Sequence, residues 1–191
     1  MLNVLYEQFP KSVRVCGMSY PIVTDFREWI RFSELIDDES VPWEVKCRLM
    51  LQWYQKRFPD DLEAAIYALG DFLSARKLYF ATEENDSNEK GIDKPVFSFS
   101  DDAGCIYSAF IDSYGIDLQT VPYMHWWKFR ILFDGLPEDT EIKQRMMYRG
   151  MNPKTIKDKA ERKRVQKIQQ QIALRKRIRK VNDYDIGDMF A

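Results

Sequence analysis

In "DFREWIRFSELIDD", Phe26, Trp29, Ile30, Phe32 and Ile36 return every third or fourth residue, and Leu35 widens the stripe. That is the period of an α-helix, and large aromatic residues recur with the same spacing along most of the chain. A sequence patterned this way cannot lie as a half-buried strand, where alternation would scatter those side chains over both faces. Thr24 or Asp25 can cap the segment. Its end carries Asp37, Asp38 and Glu39, which the helix dipole disfavours there, so an early stop or a basic neighbour is expected.

The same reading extends both ways. "SVRVCGMSYPIV" alternates and turns at Gly17, which predicts a short β-hairpin with Pro21 on an edge. Ser40 is the expected cap of one long helix, "VPWEVKCRLMLQWYQKRF", lined by Trp43, Cys47, Met50, Leu51 and Tyr54 and ended by Pro59. "DDLEAAIYALGDFLSAR" follows, capped by Asp60 or Asp61, with Leu62, Ile66, Leu69 and Leu73 as its stripe. Residues 82–95 have almost no apolar content and read as a loop. Ser100 is expected to cap a helix with Cys105, Ile106, Ala109, Phe110 and Ser113 on one face, stopped at Gly115. "VPYMHWWKFRILFDGL" predicts a helix from Pro122 to Gly135, with Tyr123, Trp126, Trp127, Ile131 and Leu132 on one broad side and His125 and Phe129 beside it. A shorter helix ends at Gly150.

Asn152 and Pro153 then open a last, highly charged element. Its thin stripe, Val165, Ile168 and Ile172, continues on a shifted face through Leu174, Ile178 and Val181. So narrow a stripe suits a protruding or partner-binding helix. The expected fold is mainly α: a bundle of six or seven helices with a short N-terminal β-hairpin and a long basic C-terminal helix. Residues 1–150 form an acidic, aromatic-rich body, and residues 151–191 a basic arm and tail.

Charge draws that boundary. Residues 141–180 hold fifteen Lys/Arg against three Asp/Glu, a net +12. The other fourteen basic and twenty-seven acidic residues give −13, so the overall −1 conceals a strong asymmetry. With 191 residues and 14% aromatics the chain has material for a core without staples. Cys16, Cys47 and Cys105 are dispersed and odd in number, which predicts reduced, buried thiols. The start lacks a basic n-region and a long apolar h-region, and no stretch approaches a membrane span. A soluble intracellular protein is expected.

One histidine excludes a histidine-rich metal site, and no phosphate-binding glycine loop or nucleophile elbow is present. His125 has the ionisation range of a general base. Its neighbours on the expected helix, Val121, Pro122, Lys128 and Phe129, include no nucleophile or carboxylate. It reads as a structural residue held by burial and a hydrogen bond. Trp126 and Trp127 could stack bases, but on an amphipathic helix they read as core or interface. Asp37-Asp38, Asp60-Asp61 and Asp101-Asp102 fall at helix ends, where capping explains them. Basic runs such as Arg162-Lys163-Arg164 and Arg175-Lys176-Arg177 could neutralise phosphates, yet residues 152–180 offer no aromatic for stacking. A protein partner or a solvated face is the first reading of the arm, and nucleic acid the second.

"DFREWIRFSELIDD", "VFSFSDDAGCIYSAFIDSYGIDL", "MHWWKFRILFDGL" and "MMYRGMN" together resemble the bacteriophage gene-product-fifteen-like proteins of siphophages and prophages of Gram-positive hosts. The resemblance runs over about residues 5–185 and is densest at Tyr114–Leu118 and His125–Phe129. It implies a role in tail morphogenesis, since such genes lie in the tail module near that of the tape-measure protein. On that footing the chain is a non-enzymatic chaperone in the host cell cytoplasm, with the tape-measure protein and other tail assembly proteins as partners. No catalytic residue, metal or cofactor comes with the resemblance. The expected contact residues are Trp126, Trp127, Phe129, Met146, Met147 and Tyr148, guided electrostatically by Arg162, Lys163 and Arg164. The alternatives are a nucleic-acid-binding module acting through the basic helix and a structural tail component retained in the virion.

Overall fold

Cys16 and Gly17, with φ of 48° and 78°, reverse the chain in a two-residue turn. They do so in a computed structural model that describes residues 2–79 and 95–175. Positive φ at both central positions matches the twist of a tight hairpin. Strands β1 (Ser12–Val15) and β2 (Met18–Pro21) pair antiparallel, with Val15 opposite Met18 and Ser12 opposite Pro21. Two strands alone are marginal in water. Here the hairpin is extended: Val23 donates to the Trp53 carbonyl (2.8 Å), Gln55 to that of Pro21 (3.0 Å), and Ile22 bridges Tyr54. Val13, Val15, Tyr20 and Ile22 turn into the core. Cys16 sits exposed in the turn, while Cys47 and Cys105 are half-buried, so none is the buried thiol expected.

Helix α1 (Phe26–Asp37) begins where Asp25 accepts from the Arg27 amide. The helix stops at Asp37, so Asp38 and Glu39 lie beyond it, and buried Lys46 donates its ammonium to the Ile36 carbonyl in its last turn. Lys46 lies on α2 (Trp43–Met50), which is far shorter than its spacing predicts. Residues Leu51–Trp53 tighten into a 3-10 turn, and Tyr54 becomes extended to bridge Ile22. Tertiary pairing with the hairpin overrides helical propensity here. Trp43 is 57% exposed, off the expected buried side. Ser40 does not cap α2; its hydroxyl and amide bond Asp38. The Tyr54 hydroxyl donates to the Ala65 carbonyl at 2.8 Å, and burial, helped by Tyr20, pushes its pKa up to about 12.

Asp61 caps α3 (Leu62–Ser74) through the Ala64 amide. Its inward face is Ala65, Leu69 and Phe72, rotated from the expected stripe, and Leu62 is exposed. Ala75, at φ 53°, leads into α4 (Arg76–Tyr79). Apart from Pro95, the expected loop lies outside the described residues. Helix α5 (Ala103–Tyr114) buries Ile106, Ala109 and Phe110, and left-handed Gly115 closes it with bonds to the Ile111 and Phe110 carbonyls. Helix α6 (Trp126–Asp134) carries Phe129, the centre of an aromatic stack. Its ring lies parallel to Phe26 at 4.8 Å and Phe110 at 5.1 Å, with Trp126 and Phe133 at 5.8 and 6.1 Å. Ring pairs of this kind contribute about 0.5–1.5 kcal/mol each beyond the area they bury.

The C-terminal segment departs most from expectation. After α7 (Glu141–Gly150), Asn152 and Pro153 open only a 3-10 turn (Pro153–Thr155). Ile156 is extended, and α8 (Lys159–Gln171) starts afresh under an Asp158 cap. This helix does not protrude. Val165 is buried, Gln169 donates to the Tyr148 and Met151 carbonyls, and Arg149 donates to that of Ile172. Ile178 and Val181 fall outside the described residues. No helix among the described residues is long and apolar enough to cross a membrane.

Asp102 ties the start of α5 to α7. Its carboxylate is 0% exposed and sits at the start of α5, but it does not cap that helix. Arg149 forks onto both oxygens at 2.6 and 2.9 Å, Arg145 reaches one at 3.3 Å, and the Ser98 amide donates at 3.1 Å. Burial alone would raise its pKa, but these four donations outweigh that and hold it below the usual range. Stability from this group is therefore full above the unfolded-state pKa, about 3.9, and is lost as pH falls through the lower folded value. Asp102→Asn should cost about 3–5 kcal/mol at pH 7, because two guanidiniums lose their buried counter-charge. Urea denaturation at pH 7 and along an acid series checks both the loss and a flatter acid dependence in the variant.

Candidate functional site

The lone imidazole stands just before α6 and caps it. Nδ1 of His125 accepts from the Trp127 amide at 3.0 Å, satisfying a donor the helix start leaves unpaired. That fixes the proton on Nε2, which donates to the Pro10 carbonyl at 2.9 Å. The ring is buried and stacks on Phe9 at 4.9 Å. Burial lowers its pKa and the nearby Lys11 charge lowers it further, against the pull of the Pro10 bond. Both nitrogens are committed to backbone partners. The helix starts four residues later than Pro122 because residues 124–126 are first used as a bridge.

The two tryptophans cap a different helix end. The Trp126 indole donates to the Leu73 carbonyl and that of Trp127 to the Phe72 carbonyl, both at 2.9 Å. These are among the last carbonyls of α3, beyond the reach of its i to i+4 ladder, and that of Phe72 also accepts from the Ala75 amide at 3.2 Å. Trp126, Trp127 and Phe129 are thus core residues, and a partner resting on the folded surface does not reach them. Three of the nine expected contact residues are therefore buried in this fold. Their spacing marks them as apolar-face residues, and packing rather than recognition uses that face.

The remaining candidates lie on α7 and α8. Met146 packs partly into the core, Met147 is 41% exposed, and Tyr148 is half-buried. Met151, one turn beyond Met147, is also exposed. Arg162 folds back to donate twice to the Ile156 carbonyl, so it is a local brace. Lys163 is exposed, and exposed Arg164 lies 3.6 Å from Glu161. Lys159, Lys163 and Lys167 form an exposed row at four-residue spacing on α8, the side turned from Val165.

A feature the sequence did not announce is a cleft of about 610 Å³ between the N-terminal segment, the hairpin and α3. Leu2, Pro10, Ala68, Phe72 and Trp127 supply apolar lining; Glu7, Arg14 and Asp71 supply charge. Among the described residues no cluster of three or more His, Cys, Asp or Glu could hold a metal ion. The arrangement offers surfaces for binding: an exposed methionine pair, a cationic row and a cleft.

Residues 5–174 match the family model described as Bacteriophage Gp15 protein. Searches of curated proteins and of solved structures gave no match.

Replacing His125 tests its structural part. His125→Ala should cost about 2–4 kcal/mol, from a lost cap and an orphaned Pro10 carbonyl. His125→Asn, which keeps a capping oxygen, should recover about 1 kcal/mol of that. The folded pKa lies below the unfolded value of about 6.5, so wild-type stability should be full above that pH and decline as pH falls toward the folded value. Chemical denaturation between pH 5 and pH 8 reads all three effects.

Proposed function

Because the chain belongs to the Bacteriophage Gp15 protein family, we propose that it is a non-enzymatic tail assembly chaperone that binds the tape-measure protein in the host cell cytoplasm. One observation favours binding over turnover: His125, the only histidine, spends both ring nitrogens on backbone groups. The partner is a long helical protein whose apolar stripes aggregate unless covered. Amphipathic helices dock through anchors one turn apart. Met147 and Met151 offer such a pair, polarizable and tolerant of varied partner sequences. Tyr148, Lys163 and Arg164 complete the contact set, now without the three buried aromatics.

The row Lys159, Lys163 and Lys167 supports a second reading, nucleic-acid binding through α8. The two readings differ in salt response. Phosphate neutralisation by three lysines should give a salt slope of about −2 to −3, whereas apolar docking should persist at high salt.

Co-expression with the tape-measure protein should keep that protein soluble and yield a complex on size exclusion. Met147→Glu should weaken the complex by about fivefold or more without unfolding the chain, since anchor truncations cost upwards of 1 kcal/mol. Unchanged partner solubility with no complex contradicts the chaperone reading. A complex indifferent to Met147→Glu moves the contact elsewhere.

A further inference from the structure

Register determines which backbone groups of the hairpin remain free. The Ile22 amide donates to the Lys11 carbonyl at 3.1 Å, which places that pair on the bonded side of the ladder's alternation. Alternation then gives the bonded pairs Val13 with Tyr20 and Val15 with Met18, and the intervening residues direct their amides and carbonyls outward. On β2 the outward side is used: Pro21 has no amide to leave exposed, and its carbonyl accepts from Gln55. On β1 the outward residues are Ser12 and Arg14. Among the described residues, no backbone group of either is bonded on that side. Proteins normally cover or blunt such an edge, because it is a template for another strand.

That edge borders the cleft. Ser12, Val13 and Arg14 line it, with Ala68, Asp71 and Phe72 of α3 opposite. Its volume lies within the range of ligand-binding clefts. Two carboxylates, Glu7 and Asp71, share it with one guanidinium, Arg14, and the surrounding body carries the chain's negative charge.

We propose that the outer edge of β1 is a strand-addition site, where an extended segment of a partner protein, alternating apolar with Lys or Arg side chains, pairs with Ser12 and Arg14 in the cleft beside α3. Backbone bonds to Ser12 and Arg14 supply affinity. Apolar side chains of the segment rest on Leu2, Pro10 and Ala68, and its cations approach Glu7 and Asp71. The proposal rests on the reading of this chain as a protein-binding chaperone and adds a second mode, extended rather than helical, to it.

The test uses a synthetic octapeptide of alternating lysine and valine, its version N-methylated at alternate residues, and its glutamate counterpart. Titrated into the isotopically labelled full chain, the lysine peptide should shift the Ser12 and Arg14 amides and slow their exchange. Methylation removes peptide donors and should weaken binding roughly threefold to tenfold per lost bond. Arg14→Pro deletes one outward amide but none of the hairpin's own bonds, and should weaken binding to the same degree. Protection of the Val13 and Val15 amides reports whether that variant keeps its hairpin; if it does not, the methylated peptide carries the comparison. No shift at Ser12 and Arg14, a methylated peptide binding as well as its parent, or a glutamate peptide binding as well as the lysine one would each overturn the proposal. If wild type still holds the tape-measure protein under those results, the chaperone reading survives alone. If the lysine peptide binds as expected and the tape-measure protein does not, the edge site survives and that partner falls.

Discussion

Two helices of this protein start from a single bridge. The Phe26 amide donates to the Met124 carbonyl at 2.9 Å, and the Trp126 amide returns the bond to Thr24 at 2.8 Å. Asp25 and His125, the caps of α1 and α6, therefore lie opposite each other. A residue 25 positions into the chain and one 125 positions in must meet before either helix can leave in its proper direction. Arg27 reinforces the junction by binding Asp25 and the Leu118 and Val121 carbonyls, and Thr24 bonds the Tyr123 hydroxyl. The Phe26–Phe129 stack is the consequence one turn deeper.

From that junction the rest follows by satisfaction of helix ends. The His125 cap orients Trp127, whose indole, with that of Trp126, closes α3. The Pro10 carbonyl ties the N-terminal segment to the same ring. Lys46 closes α1. On the opposite flank, Asp102 collects Arg145 and Arg149, and Arg149 also holds the Val96 and Ile172 carbonyls, which brings the end of α8 onto the body. Buried polar groups that are fully paired favour one arrangement over its neighbours, since every alternative leaves a charge or carbonyl unanswered. The basic segment is thus anchored at its root, and its exposed lysines are held on a fixed helix.

The apolar period read directly as helices wherever packing is local. The Asp25 and Asp61 caps, the hairpin turn and the Gly115 stop were all legible, because each is decided within a few residues. Long-range pairing was not. Nothing in "CRLMLQWYQKRF" tells Tyr54 that Ile22 needs a neighbour, so the sequence pattern runs one helix where the fold runs two elements. The same holds for Asp102, whose role depends on two arginines some forty residues away; their four-residue spacing on one face was the available signal. His125 was legible as structural, though its capping part required the bridge. The tandem tryptophans were legible as apolar-face residues, but whether that face met the core or a partner is a tertiary matter. The cleft and the free edge of β1 were invisible, being made by segments far apart in the chain.

The central claim is that the imidazole is a fixed, neutral helix cap. A chain with one histidine gives a single imidazole signal pair, so its tautomer can be read without ambiguity. Long-range proton–nitrogen correlation at pH 7 should show a neutral ring protonated at Nε2, with Nδ1 in the range of a hydrogen-bonded acceptor. A ring found charged at that pH, protonated at Nδ1, or exchanging between tautomers would contradict the account.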